Sequence, residues 1–247
     1  MKNNLLGYNP KRYMLGLLAV LAVIGMFQHG LSATLPQMMI AVLTATLIDI
    51  SIGYKKNGKI AFPQSAFITG MIIGMVLSPG VRWYIPLAAS SAAIIQKHLI
   101  RYKGRHIFNP ANLGLLSTMF IFSAYTTWWG QSFWPLIVAV GLFVCYRMQR
   151  LHIPLVFIST FFIIFALENA VAKAPIFDSL FLVNLFFVFV MLIEPKTTPR
   201  SRIGQYIYAV SAAAFSFMFF KFAPQHDFSV LTLASANLLT PLLNNIK

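Results

Sequence analysis

Two stretches gather the side chains that could do chemistry. The first, Lys103-Gly104-Arg105-His106-Ile107-Phe108-Asn109-Pro110-Ala111-Asn112-Leu113-Gly114, is a basic loop running into an apolar segment that opens with Asn-Pro. The second, Leu233-Ala234-Ser235-Ala236-Asn237-Leu238-Leu239-Thr240-Pro241, again sets an Asn and a Pro inside apolar sequence. His106 with Lys103 and Arg105 could hold a phosphate. Asn109, Asn112 and Asn237 either line a polar site among apolar neighbours or only cap and cross-link helices. Each stretch follows, at some distance, an apolar run that stops at proline: Met75-Val76-Leu77-Ser78-Pro79 and Met191-Leu192-Ile193-Glu194-Pro195. Glu194 is either a carboxylate paired with Arg200 or Arg202 at the end of a span or a polar group at a broken helix.

Other reactive side chains offer less. Asp49 is the acid most deeply set among apolar residues and is a candidate for proton or cation contact, whereas Glu168 and Asp178 decorate a loop. The five histidines (29, 98, 106, 152, 226) lack metal-ligand spacing and the mid-span pairing that haem needs, so no metal site is expected. One cysteine, Cys145, excludes an internal disulfide. No phosphate-binding glycine loop, nucleophile elbow or zinc motif occurs, which leaves hydrolase chemistry without support and no catalytic residue to name.

The elements that must position these groups are membrane spans. With 58% hydrophobic and 10% charged residues and a mean hydropathy of +0.75, the 247-residue chain lies far outside the soluble globular range. Ten apolar runs follow one another: about 13–28, 35–53, 63–77, 83–100, 109–124, 133–146, 153–167, 176–193, 203–222 and 228–243. The basic start before the first run could be misread as a cleaved signal peptide. The third run is short, since 15 helical residues reach only about 22 Å, less than the hydrocarbon core. The uncharged loop with Trp128-Trp129 suits a membrane interface.

The net charge of +14 is explained by topology. Ten spans put 16 Lys and Arg on the side of both termini and 3 (Arg82, Lys173, Lys221) on the other, so both termini are expected in the cytoplasm of a bacterial inner membrane. A nucleic-acid partner is thereby excluded, and the lipid bilayer is the first partner.

An odd number of spans per half places the second half upside down, so the expected fold is all-α. It has about ten transmembrane helices in two inverted five-helix repeats, residues 1–125 and 126–247. The short or Pro-interrupted third, fifth, eighth and tenth segments are its broken helices, whose freed backbone groups must line a buried site.

These residues also carry a resemblance. Gly104 to Gly114, the segment Glu194-Pro195-Lys196-Thr197-Thr198-Pro199 followed by Gly204-Gln205, and the ending Ala236-Asn237-Leu238-Leu239-Thr240-Pro241-Leu242-Leu243 are similar to one family of membrane subunits. It is the B/D family shared by the sodium-translocating NADH:quinone reductase and the Rnf ferredoxin:NAD complex. Ser65-Ala66-Phe67-Ile68-Thr69-Gly70 through Pro79 resembles the family's third span, and the likeness covers roughly residues 62–243. The resemblance implies a urea-transporter-like fold and electron movement with bound flavins, one of them FMN joined to a threonine in Ser-Gly-Ala-Thr. It places Lys103, Arg105, His106, Asn109, Asn112, Glu194, Thr197, Thr198 and Asn237 at a cofactor-binding site.

Departures narrow what carries over. No Ser-Gly-Ala-Thr occurs; Ser32-Ala33-Thr34 lies in the wrong loop, and Thr126 and Thr127 match in position without matching flanks, so covalent FMN is not expected. Where sodium-translocating relatives hold carboxylates this chain has His98 and Asn244, which argues against sodium pumping. Glu194 stands where the family has Asp and keeps the charge type. The resemblance is that of a short, divergent member. Two functions follow: a redox subunit holding riboflavin or FMN noncovalently beside other redox subunits, and a transporter or channel for a small neutral or flavin-like solute on the same scaffold.

Overall fold

The computed structural model describes residues 10–246, so Lys2 and Lys247, counted in the charge asymmetry, lie outside the described residues. Among the described residues the fold is all-α apart from one two-stranded hairpin. In chain order the helices are α1 (Pro10–His29), α2 (Leu31–Asn57), α3 (Gln64–Val76), α4 (Tyr84–Leu99), α5 (Pro110–Phe122), α6 (Trp134–Arg147), α7 (His152–Val171), α8 (Arg202–Phe222) and α9 (Phe228–Leu243). The hairpin strands are β1 (Arg101–Tyr102) and β2 (Arg105–His106). Four of these helices, α1, α2, α7 and α8, are long and apolar enough to cross a membrane; α3, α5, α6 and α9 are shorter apolar helices.

Local chemistry fixes the helix ends. Asn109 caps α5 by accepting from the Asn112 amide at 3.2 Å, and Pro110 sits at the first turn, where no amide is missed. Asp227 caps α9 through the Ser229 and Val230 amides, and Ser201 caps α8 through Gly204. The αL residue Gly58 closes α2 by donating to the Tyr54 carbonyl. Between β1 and β2, Lys103 and Gly104 both take positive φ, the combination a two-residue hairpin turn of right-handed twist requires.

The eighth apolar run departs from a single span. Residues Ile176–Leu182 form a 3-10 helix, Val183 is extended, and only one π-helical turn, Phe187–Met191, follows. Asn184 explains part of this, because its side chain accepts from the Phe187 amide and starts the second piece where the first has ended. All five residues of the π turn are buried. Irregular backbone of this kind persists in an apolar chain only where protein surrounds it.

The long α2 faces outward and the short α3 is enclosed. On α2, Leu35, Met39, Leu43 and Leu47 are exposed at four-residue spacing, a stripe suited to lipid. By contrast nine of the thirteen α3 residues are buried, and its last carbonyls are met by the loop after α5: the Thr127 and Trp128 amides both donate to Val76. α2 packs on α3 and α4, α4 on α5, and α1 on α3; α7 packs on α8, α8 on α9, and α6 and α7 on the π turn. Two cross-pairs, α1 with α6 and α5 with α9, join these sets. Helix starts recur 118 residues apart, from 84 to 202 for α4 and α8 and from 110 to 228 for α5 and α9. The Asn-Pro echo of the sequence is therefore out of register: Asn109 is a cap, its counterpart at that spacing is Asp227, and Asn237 lies in the interior of α9.

Small residues permit the tightest packing. A methyl group on Gly114 would come within 2.2 Å of the Ala89 carbonyl oxygen, so α4 and α5 touch backbone to backbone there. Gly114→Ala is expected to lower stability by about 1–3 kcal/mol, because backbone must move to admit it. Gly16→Ala in α1, which meets nothing within 4 Å, should leave the melting temperature unchanged or raise it. Thermal unfolding followed by tryptophan fluorescence in detergent checks the pair.

Candidate cofactor cavity and its basic rim

The nine residues proposed from sequence fall into three groups. Asn112, Asn237, Thr197 and Thr198 are fully buried and engaged in structure. The Asn109 amide donates to Asn237 Oδ1 at 2.8 Å, and Asn112 Nδ2 donates to the Val230 carbonyl at 3.0 Å, so two asparagines tie α5 to α9. Asn237 Nδ2 in turn donates to the Tyr208 hydroxyl at 3.1 Å and to the Thr197 carbonyl at 3.4 Å, while Thr240 Oγ1 donates to that same carbonyl at 2.6 Å. Thr198 accepts from the Arg150 guanidinium. Burial in a low-dielectric interior makes each of these bonds expensive to lose.

His106, Asn109 and Glu194 form the second group and line a cavity of about 310 Å³. Its walls are aliphatic: Ile68 and Ile72 from α3, Val190 and Ile193 from the π turn and its exit, Met14 from α1, and Val144 and Met148 at the end of α6. Polar groups gather from Ser65, Thr69, Lys97, His106, Glu194 and Lys196. The His106 Nε2 to Glu194 Oε1 distance is 3.8 Å, and His106 Nδ1 contacts the Phe108 carbonyl oxygen at 2.9 Å. Arg202 faces His152 Nδ1 at 3.2 Å, and the Glu194 carboxylate faces His106 and Thr197 instead.

Lys103 and Arg105 form the third group, outside this cavity. They border a second hollow with Tyr102, His106, Ile107, Lys196, Arg200, Thr240, Pro241, Asn244 and Asn245. The Arg105 guanidinium donates to the Pro195 carbonyl, and Lys103 Nζ lies 5.2 Å over the Tyr102 ring.

Several participants carried no sequence signal strong enough to single them out. Lys97 Nζ makes a bidentate contact with Asp49 at 2.9 and 3.0 Å, donates to Ser65 Oγ at 3.2 Å, and shares the carboxylate with His98 at 2.7 Å. Asp49, read as a possible ion contact, is thus the anchor that holds Lys97 at the cavity wall. Asp227 serves two segments at once: it caps α9 and also accepts from Thr126 Oγ1 and Trp128 Nε1 in the loop after α5. It borders a separate cavity of about 540 Å³ at the other end of α5 and α9. An acid just before an apolar run is a start signal that could have identified it.

Charge in the loops around the cavity is set by burial. His106 is pushed down to about 4 by desolvation, opposed by its contact with the Phe108 carbonyl and aided by Lys196. Glu194 is pushed up to about 7 by the same desolvation, with Lys196 and Thr197 pulling against it. Among the described residues no group of three or more His, Cys, Asp or Glu is arranged to hold a metal ion.

Residues 11–135 match the model of the NQR2, RnfD, RnfE family, and that span is just over half of the chain. Over 110 residues the chain is 34% identical to the D subunit of the proton-translocating ferredoxin:NAD(+) oxidoreductase complex of Clostridium ljungdahlii, a stretch that is 43% of this chain and 33% of that protein. It is 30% identical over 100 residues to the D subunit of the ion-translocating oxidoreductase complex of Yersinia enterocolitica, 39% of this chain and 28% of the relative. An Aeromonas hydrophila protein of the same name is 32% identical over 101 residues, 39% and 29% of the two chains. The chain thus spans about a third of the length of the curated relatives it matches.

The paired shifts predict an unusual pH response. Glu194 binds its proton more tightly folded than unfolded, so stability from this group is present at low pH and is lost as pH rises from about 4.5 to about 7. His106 binds its proton less tightly folded, so stability falls as pH drops from about 6.5 to about 4. The two oppose each other between pH 4.5 and 6.5. Glu194→Gln should therefore melt higher at pH 6.5 than at pH 4.5, and His106→Asn lower, each by about 2–4 °C for about 1 kcal/mol. Wild type should change less than either, as measured by thermal unfolding in one detergent across that range.

Proposed function

Because the chain belongs to the NQR2, RnfD, RnfE family, we propose that it is a membrane electron-transport subunit that holds a flavin noncovalently in the cavity between α3, α5 and the π turn. The observation that carries this reading is the cavity itself. Its 310 Å³ lies at the lower end of ligand pockets, and aliphatic walls with polar groups gathered near His106 and Glu194 fit a flat ring system with a polar edge. A bound flavin supplies one- and two-electron transfer. The chain's own residues orient and seal. Aliphatic side chains from four segments exclude water, Asn109 fixes the start of α5 at the wall, and neutral His106 offers one ring nitrogen toward Glu194. Lys97, steadied by Asp49, keeps one positive charge beside the cavity. Thr126, one of the two threonines placed like the family's flavin-bearing threonine, has its hydroxyl committed to Asp227, which suits noncovalent binding.

The scaffold in this reading is two inverted five-helix repeats, residues 1–125 and 126–247, with both termini cytoplasmic. The 118-residue recurrence of helix starts and the parallel packing of the two sets support it. Other redox subunits of a complex are its partners, in line with the names of the relatives. A second reading, passage of a small neutral solute, draws on one observation: cavities lie at both ends of the α5–α9 pair, near Asn109 and near Asp227.

Purified protein should show the absorbance bands of oxidised flavin at about one flavin per chain. Ile72→Trp, which fills the cavity from α3, should weaken flavin binding about tenfold, a loss of about 1.4 kcal/mol, without lowering the melting temperature of the flavin-free protein. A colourless protein that binds no added flavin, in vesicles that swell in solute, would instead favour the second reading.

A further inference from the structure

Two guanidinium groups, Arg105 and Arg200, border one hollow where the β-hairpin meets the segment before α8, and a third, Arg150 just after α6, is near enough to feel the charge of Arg105. Arg105 donates to the Pro195 carbonyl and Arg150 to the Thr198 hydroxyl, so both neutral partners belong to one short loop, residues 195–198. Arg200 approaches from the same loop's continuation, where its backbone amide donates to Asn244 Oδ1 at 2.9 Å. Burial and repulsion act on two of them: Arg105 is held below the ordinary arginine range by desolvation and by Arg200, and Arg150 by desolvation and by Arg105. The ion pairs among the described residues join Asp49 to Lys97 and His98, Glu194 to His106, and Glu168 to Lys221. None of them uses Arg105, Arg150 or Arg200. Among the described residues, Glu194 is the carboxylate whose field reaches Arg105.

A partly buried guanidinium group outside any ion pair, as Arg105 is, is costly to the chain, and a multiply charged oxyanion beside it and the exposed Arg200 offsets that cost. The hollow beside them has room for one: about 270 Å³, lined by Lys103, Arg105, Lys196, Arg200, Asn244 and Asn245. We propose that this hollow, at the junction of the β-hairpin with the loop before α8, is a binding site for a phosphate group, with Arg105 and Arg200 as its principal contacts. Guanidinium groups favour this ligand because their planar forks match phosphate oxygens two at a time. The Asn244 and Asn245 side chains add neutral donors to the lining. His106 borders both this hollow and the aliphatic cavity, so a phosphate carried by a molecule in that cavity and the headgroup of an anionic phospholipid are the two sources within reach.

A basic rim alone could arise from topology, so the test compares two basic clusters. The full chain in phosphatidylcholine nanodiscs is melted in inorganic phosphate and in chloride at equal ionic strength, a measurement that needs no flavin. Wild type should be stabilised by phosphate. Arg105→Gln/Arg200→Gln should bind it about tenfold more weakly, and Lys55→Gln/Lys56→Gln, which removes equal charge at the end of α2, should bind it like wild type. If the double arginine variant does not fold, Arg200→Gln alone carries the test, since Arg200 is exposed and its amide bond to Asn244 survives. Tighter binding of FMN than of riboflavin, lost in the arginine variant, identifies a flavin phosphate as the source. Selective retention of phosphatidylglycerol in native mass spectra, lost in the same variant, identifies a lipid headgroup. Equal stabilisation by phosphate and chloride in wild type, or equal responses of the two double variants, would overturn the proposal.

Discussion

The contact on which the rest of the structure depends is the tie between α5 and α9. Both helices are too short to cross the hydrocarbon layer alone, since thirteen and sixteen residues rise only about 20 and 24 Å. Their exposed ends must be satisfied inside protein. The Asn109 amide on Asn237 and the Asn112 side chain on the Val230 carbonyl do this at the centre, and Asn109 and Asp227 do it at the two starts. In surroundings without water a lost amide bond is replaced by nothing, which is why asparagine is placed where a leucine would pack as well. The tie also reaches outward, because Asn237 holds the Thr197 carbonyl and so fixes the loop that carries Glu194, Lys196 and Thr198.

From that tie follow the two ends of the molecule. At one end, the short α3, the start of α5 and the π turn leave an aliphatic cavity with charged groups gathered on its wall. At the other, Asp227 collects Thr126, Trp128 and the first amides of α9, and the end of α3 is met by the same loop. The long helices α1, α2, α7 and α8 carry much of the exposed apolar surface, and the shorter helices, α6 among them, share it. Both cavities lie where helices stop, because that is where backbone groups and polar side chains can face a cavity instead of lipid.

Much of this was legible in the residues. Runs of apolar sequence located the α-helices of the described residues to within a few positions, because in a membrane protein length and hydropathy are themselves the constraint. The Asn-Pro start of α5 was legible because a cap followed by proline has one structural meaning. What could not be read was pairing. Nothing local shows that Asp49 anchors Lys97, that Arg150 reaches Thr198, or that Asn237 receives the Asn109 amide, since each joins segments 48 to 128 residues apart. The Asn-Pro echo misled on register, as similar residue types were aligned although one asparagine caps a helix and the other lies inside one. The eighth run was legible as broken, but the place of the break was hidden by its apolar composition, which reads as helix until Asn184 is seen to divide it. The candidate site separated likewise: His106, Asn109 and Glu194 reached one cavity, Lys103 and Arg105 another, and the remaining four became structural bonds.

Residue-resolved hydrogen exchange at the Asn109 amide tests the tie most directly. The amide lies before the first turn of α5 and has no partner within its helix, so only Asn237 protects it. Slow exchange at Asn109 is predicted in the wild-type chain and fast exchange in Asn237→Ala, with protection of the α5 interior around Leu116 preserved in both. Fast exchange at Asn109 in wild type, or protection that Asn237→Ala leaves unchanged, would contradict the central role given to this bond.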